Sequence, residues 1–219
     1  MNKPDPTNLA SRIHAALPQT QCTRCGYPDC AAYADAIAQG EASINQCPPG
    51  GAEGVERLAA ITRLPVIPLN PANGLEAPRS VAVIDEAWCI GCTLCLPACP
   101  TDAILGSNKM MHTVIEPSCT GCELCVAVCP VDCISLENVS GLLTGWAAWS
   151  EAEAHAARQR YESQAHRLDI ERTSRPSLTQ PAATTARLAG QCDADRKQAT
   201  IKAAMERARN KSMTGHSAQ

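Results

Sequence analysis

Apolar residues are spread thinly along this chain, and their spacing marks out a series of short elements. Small apolar side chains fill CAAYADAIAQ from Cys30 to Gln39. Asp29 before that run can cap a helix and Gly40 can end it. After the PPGG turn at Pro48 to Gly51, Val55, Leu58, Ala59 and Ile61 share one helical face, which predicts a second helix. Pro65, Pro68, Pro71 and Pro78 then interrupt LPVIPLNPANGLEAP, favouring extended chain and a linker.

From Val81 to Val139 the pattern repeats with a period of 30 residues. Cys89, Cys92, Cys95 and Cys99 map onto Cys119, Cys122, Cys125 and Cys129, Gly91 onto Gly121, and Pro100 onto Pro130. Leu94, Asp102 and Ile104 likewise map onto Leu124, Asp132 and Ile134. Each copy reads as a strand (VAVIDE, HTVIE), a cysteine loop, a short helix and a strand starting at Ile104 or Ile134. Neither half has the apolar surface to stand alone, so the two are expected to pack about a pseudo-twofold axis. Beyond Ser140, Ser150 with Glu153 forms a capping box for a helix to about Leu168, and Asp193 or Asp195 can start another through Arg209. RTSRPSLTQPAATT between them reads as unstructured.

The expected class is α+β, with four parts: a small helical module (1–64), a Pro-rich linker (65–80), the β-α-β repeat domain (81–139) and a helical, partly disordered tail (140–219). Composition changes this picture in two ways. With no Phe, three Trp and three Tyr, the chain buries little apolar area for its 219 residues, so something besides a large core must hold it together. Charge is also uneven, at −7 over residues 1–138 and +4 over residues 139–219.

Cysteine supplies the missing cohesion. Thirteen of the fourteen fall between Cys22 and Cys133. The N-terminus shows no signal peptide and no run is long enough to span a bilayer, so metal-bound thiolates in a reducing compartment fit better than disulfides. The repeat carries C-x2-C-x2-C-x3-C-P twice, the spacing of bacterial ferredoxins, in which the fourth cysteine of each run serves the other cluster. Cys89, Cys92, Cys95 and Cys129 are therefore assigned to one [4Fe–4S] cluster, and Cys119, Cys122, Cys125 and Cys99 to another. Zinc takes four thiolates too, but three at this tight spacing do not wrap one small tetrahedral ion. The first segment reads C-x2-C-x4-C-x16-C over Cys22, Cys25, Cys30 and Cys47, and that spacing alone leaves zinc and iron–sulfur both open.

LPQTQCTRCGYPDCAAYADAIAQGEASINQCPPGG closely resembles the four-cysteine module of the B subunit of the Rnf (Rsx) electron transport complex. VAVIDEAWCIGCTLCLPACPTDAI and MHTVIEPSCTGCELCVAVCPVDCISL resemble the ferredoxin part of the same protein. The resemblance covers roughly residues 8–139. It implies a third [4Fe–4S] cluster held by Cys22, Cys25, Cys30 and Cys47, and makes other Rnf-type subunits at the inner membrane candidate partners. Membrane-bound members begin with a hydrophobic anchor helix that is not seen here, so the anchor-less, soluble, ferredoxin-like variant is the closer match. Residues 140–219 inherit nothing from the resemblance.

Cys133 stands where the first repeat has Ala103 and reads as a small buried hydrophobe, and Cys192 as a silent thiol. Trp88 is expected in the core or shielding a cluster, and Tyr33 packed over one. His112 is not expected to be a ligand, since the cysteine sets are complete. No general base, nucleophile or nucleotide loop is apparent, and the later basic helix lacks aromatic residues for nucleic acid. The expected role is a carrier, not an enzyme on its own. It would relay single low-potential electrons between redox partner proteins, in the cytoplasm or peripherally on the cytoplasmic face of the inner membrane. The alternatives are a peripheral subunit of an ion-translocating oxidoreductase and a zinc-stabilised interaction module. Three clusters of about 2− each would take residues 1–138 to about −13, a body suited to basic partners or to its own basic tail.

Overall fold

The structure, a computed structural model, describes residues 8–174. Residues up to Ile170 belong to one compact unit, and a second unit begins at Glu171, of which only 171–174 are described.

The first module is three helices around one small core. Helix α1 (Leu9–Ala15) is capped by the Asn8 side chain and buries only Ile13, which is why its pattern is hard to see in sequence. Helix α2 (Cys30–Gln39) starts where Asp29 Oδ1 accepts from the Ala32 amide at 2.7 Å and ends at left-handed Gly40. Helix α3 (Gly51–Thr62) buries Val55, Leu58 and Ala59, with Ile61 partly covered. These helices meet on Ile13, Leu17, Tyr33, Ile37, Ile44, Val55 and Leu58, and Cys25 and Cys30 belong to the same core.

Residues 65–79 form no helix or strand apart from a 3-10 turn at Pro71–Asn73, and they hold fast to the first module. Asn70 donates its amide to the Asn45 carbonyl at 2.9 Å, and Asn73 Nδ2 donates to the Arg24 carbonyl at 2.9 Å. Helix α3 has no N-cap side chain of its own. Glu76 serves instead, Oε2 accepting from the Ala52 amide at 2.9 Å while Oε1 accepts from the Thr144 hydroxyl at 2.6 Å.

In the repeat domain, β1 (Ser80–Ile84) pairs antiparallel with β4 (Ile134–Asn138), Ile84 facing Ile134 and Ser80 facing Asn138. Strand β2 (Ile104–Leu105) pairs with β3 (Thr113–Val114). Each two-stranded sheet thus takes one strand from each repeat, and helix α4 (Cys95–Ala98) lies between β1 and β2 in sequence. The core here is Val81, Ala82, Ile84, Ala103, Ile104 and Ile134 interleaved with cysteine.

The tail helix α5 (Glu151–Ser174) begins at the expected capping box, Glu153 accepting from the Ser150 amide at 2.9 Å and Ser150 Oγ accepting from the Glu153 amide at 3.2 Å. It runs past Leu168 through the first three residues of the segment expected to be unstructured, because nothing before Pro176 breaks it. The rest of that segment, the helix expected from Asp193 or Asp195, and Cys192 lie outside the described residues. The helix is mostly solvated but does not stand off the body. Trp146, Trp149, Ala154 and Ala157 form a third small core, with the Arg57 guanidinium 4.0 Å from the Trp146 ring centre and Arg79 4.6 Å from that of Trp149.

Candidate metal centres

Three quartets of cysteine are drawn together. In the first module, the approach to Cys22 and Cys25 runs through Gln19, Gln21 and Thr23, all left-handed, at φ 58°, 54° and 59°. Such alternation turns successive peptide groups and presents their amides to one side. It is held by buried amide side chains. Gln21 Oε1 accepts from the Cys30 amide at 2.9 Å, Gln21 Nε2 donates to Gln19 Oε1 at 3.2 Å, and Gln19 Nε2 donates to the His14 carbonyl. This chain of amides ties α1 to α2 around Cys22, and sequence reasoning missed it because glutamine carries no spacing signal. Cys47 joins from the far side, and the 3-10 turn at Pro48–Gly50 aims the Gly50 amide at its sulfur. Tyr33 sits beside Cys47 and Cys25, its hydroxyl donating to the Ser43 carbonyl at 2.7 Å.

In the repeat domain, one cavity is lined by Cys89, Cys92, Cys95 and Cys129, with Ile84, Val131 and Ile134 as apolar walls. A second is lined by Cys119, Cys122, Cys125 and Cys99, with Ala82, Ala103, Ile104 and Val114. Each cavity takes three sulfurs from one repeat and one from the other. The backbone recurs at the 30-residue offset: Gly91 and Gly121 at φ 66° and 68°, Thr93 and Glu123 both at 66°, Asp102 and Asp132 at 50° and 51°. A side chain at Gly121 would run into the Ser80 carbonyl, and one at Gly91 into the Met110 backbone, so both loops need glycine for space as well as for φ. The sulfurs also receive peptide donors, from the Ala103 amide to Cys99 at 3.2 Å and from the Ala82 amide to Cys119 at 3.4 Å.

Burial pushes the Cys125 thiol up to about 12, with Cys122, Cys119 and Cys99 adding to it, and the Cys122 thiol up to about 11. Burial likewise lifts Cys30 to about 12. Burial raises Cys129 too, but the amides of Val131 and Cys133, the Cys133 thiol and the Asp132 amide outweigh it and leave that thiol below its usual range. Sulfurs crowded this way ionise together only when a cationic centre offsets them. Soft thiolates in an apolar, amide-lined space are the donor set that iron–sulfur clusters take, and the residues present fit such groups. Among the described residues, no three or more His, Cys, Asp or Glu are gathered tightly enough for a single metal ion.

The remaining candidates fall into place around these quartets. Cys133 is buried in the first of the two cavities with its sulfur 3.5 Å from that of Cys129. Trp88 contradicts expectation, being 69% exposed. The Asp85 carbonyl accepts from both the Trp88 and Cys89 amides, a turn that leaves Cys89 at the cavity and its neighbour outside. His112 is buried against Cys95 and Cys89.

The two modules abut. Thr120 Oγ1 donates to the Thr20 carbonyl at 2.9 Å, and Arg24 pairs with Glu123 at 2.6 Å. Trp149 Nε1 donates to the Pro18 carbonyl at 2.8 Å, while Arg79, stacked on the same ring, donates to the Cys119 carbonyl at 3.0 Å. Further along α5, Tyr161 donates to Asp29 Oδ2 at 3.0 Å, and Gln164 Nε2 donates to the Cys99 carbonyl at 2.6 Å. The tail helix therefore touches the backbone or cap of both modules close to cysteine. No sequence signal marks these contacts, which join residues 65 to 132 positions apart.

Residues 82–136 match the family model described as a 4Fe-4S dicluster domain, and residues 17–49 the one described as a putative Fe-S cluster. The chain is similar to proteins named as the B subunit of an ion-translocating oxidoreductase complex. With that of Azoarcus sp. (strain BH72) it is 62% identical over 109 residues, 50% of this chain and 60% of that protein. The Thiobacillus denitrificans protein is 61% identical over 107 residues, 49% and 57% of the two chains, and that of Alkalilimnicola ehrlichii 54% over 110 residues, 49% and 59%. The matches span 60% or less of these curated relatives. The resemblance to the Rnf B subunit read from the cysteine modules is thereby shown, and the chain carries iron–sulfur domains.

Proposed function

We propose that this chain is a low-potential electron carrier that relays single electrons through three [4Fe–4S] clusters, in the manner its likeness to the Rnf B subunit suggests. The observation that carries the reading is the sharing of each repeat-domain cavity by cysteines of both repeats. Cys89, Cys92, Cys95 and Cys129 would hold one cluster, Cys119, Cys122, Cys125 and Cys99 a second, and Cys22, Cys25, Cys30 and Cys47 a third. Clusters of this kind supply reversible one-electron chemistry at potentials set by hydrogen bonds, charge and exposure.

The protein's own residues keep water out, fix the sulfurs and set the order of the sites. Thr120 and Glu123, which bond the first module, belong to the loop of Cys119 and Cys122, so that site is the natural neighbour of the first quartet. The Cys89 site then lies at the far end. Trp88, Ile90, Met110 and Met111 are all exposed near it, an apolar rim for a redox partner at the point of uptake or release. The chain works as a carrier and not as an enzyme on its own.

The identity with proteins named as parts of a complex favours a second form of this reading. In it, the chain is a peripheral component of an ion-translocating oxidoreductase on the cytoplasmic face of the inner membrane. No helix among the described residues is long and apolar enough to cross a membrane. Fractionation separates the two forms: a component of the complex sediments with membranes at low salt, whereas recovery in the soluble fraction at every salt concentration removes the membrane version. A zinc-stabilised module is the alternative from another class. Anaerobically purified protein that is colourless would remove both electron-transfer forms.

A further inference from the structure

The 30-residue offset that aligns the cysteines also pairs His112 with Ala82 and Gly106 with Leu136. In one sheet Ala82 stands directly opposite Leu136. In the other, Ile104 faces Val114 and Leu105 faces Thr113, and one further step of that register sets Gly106 opposite His112. The two cross-strand pairs are thus a small residue with a leucine in one sheet and a glycine with a histidine in the other. A Cβ on residue 106 would overlap the His112 ring, so the ring occupies the space that Gly106 leaves.

This imidazole is built into the fold. It is 1% exposed, with Nδ1 3.5 Å from Cys95 Sγ and 3.7 Å from Cys89 Sγ. Its Nε2 is buried without a hydrogen-bond partner among the described residues. At the corresponding position in the other site Ala82 brings a methyl group, and its peptide N–H reaches Cys119 at 3.4 Å. Two hydroxyls also approach that site, Thr101 Oγ1 3.9 Å from Cys99 Sγ and Thr120 beside Cys122, but each gives its one proton to a carbonyl, those of Ser118 and Thr20, at 2.9 Å. The two repeat-domain sites are therefore matched in their cysteines and unmatched in one buried donor.

We infer that His112 is a positioning residue that donates from Nδ1 to the Cys95 and Cys89 sulfurs. Through them it raises the reduction potential of the Cys89, Cys92, Cys95 and Cys129 site above that of its counterpart. A metal-bound thiolate has no proton to give, so the ring must be the donor. Donors to cluster sulfurs favour the state with the extra negative charge. Of the two repeat-domain sites, the electron then favours the one farther from the first module. A hydrogen bond to a charged group is strong enough to shift the sharing of an electron between two sites by about tenfold. The inference rests on the cluster assignment proposed above.

The test is a redox titration of the full iron-loaded chain followed by electron paramagnetic resonance, with iron measured on the same samples. In His112→Leu, which fills the space without a donor, one of the three reduction steps is expected to move to more negative potential while the other two stay. His112→Asn, which places an amide N–H near the Nδ1 position, should retain most of the wild-type value. Gly106→Ala, which displaces the ring, should move the same step in the same direction and supplies the test if His112→Leu does not load iron. Full iron content with all three steps unmoved, or two steps moving together, overturns the inference. Wild-type protein without iron overturns instead the assignment beneath it.

Discussion

Trp149 is where the three parts of the molecule meet, and replacing it tests whether the tail helix fastens the two cysteine modules together. Its ring is 6% exposed, its Nε1 donates to the Pro18 carbonyl, and the Arg79 guanidinium that stacks on it also holds the Cys119 carbonyl. Truncating a buried Trp to Ala costs about 3–5 kcal/mol in lost burial and residual cavity. Leaving the Pro18 carbonyl unpaired adds about 1–3 kcal/mol, and the lost cation–π contact about 0.5–1 kcal/mol. These terms overlap, so about 5 kcal/mol is the working figure, against a total of about 5–15 kcal/mol for a typical domain. Trp149→Ala should therefore free the start of α5 and loosen the contact between modules. Trp149→Phe keeps most of the volume and should cost only the hydrogen bond, about 1–3 kcal/mol. The assay is urea unfolding with amide hydrogen exchange over residues 151–168, on protein of known iron content. An Ala variant with wild-type protection in that span and a loss under about 1 kcal/mol would refute the reasoning, since the helix would then be held by something other than this ring.

Other consequences can be checked separately. Cys129→Ala should remove the cluster of the Cys89 loop and spare that of the Cys119 loop, leaving about eight irons where the proposed assignment has about twelve; loss from the Cys119 loop instead would mean the ligands are not crossed. Cys133→Ala should leave iron content unchanged, because Cys133 adds a fifth sulfur to a cavity already lined by four. Thr120→Val deletes the hydroxyl donor to the Thr20 carbonyl and should cost about 1–2 kcal/mol, whereas Arg24→Ala, which breaks a partly exposed ion pair with Glu123, should cost under about 1 kcal/mol in the same unfolding assay. Burial, then the nearby Arg158, holds the His14 pKa below 6.5. The unfolded chain therefore takes up the proton first, so stability is full above pH 6.5 and declines as pH falls below it. His14→Gln should flatten that decline in urea midpoints measured across the range.

Much of the element order could be read from the sequence because each signal was local. Asp29 and Gly40 bracket α2, Ser150 and Glu153 open α5, and the 30-residue identity places β1 to β4 in matched positions. Helix α1 escaped because its seven residues bury one side chain. Trp88 was misplaced because an aromatic beside a cysteine looks like core until the Asp85 turn sends it outward. The docking of α5 was also hidden, since Trp149 and Gln164 find their partners across long stretches of chain with no periodicity to announce them. Among the candidate sites, the cysteines announce themselves by spacing. Gln19, Gln21 and His112 become visible only when three-dimensional neighbours supply the reason for them.

The central claim is that twelve cysteines hold three [4Fe–4S] clusters, and the most direct measurement is iron and acid-labile sulfide per chain in anaerobically purified protein. The account predicts about twelve of each. Zinc in place of iron, or iron without sulfide, would contradict it outright, and about eight of each would contradict the third cluster on Cys22, Cys25, Cys30 and Cys47.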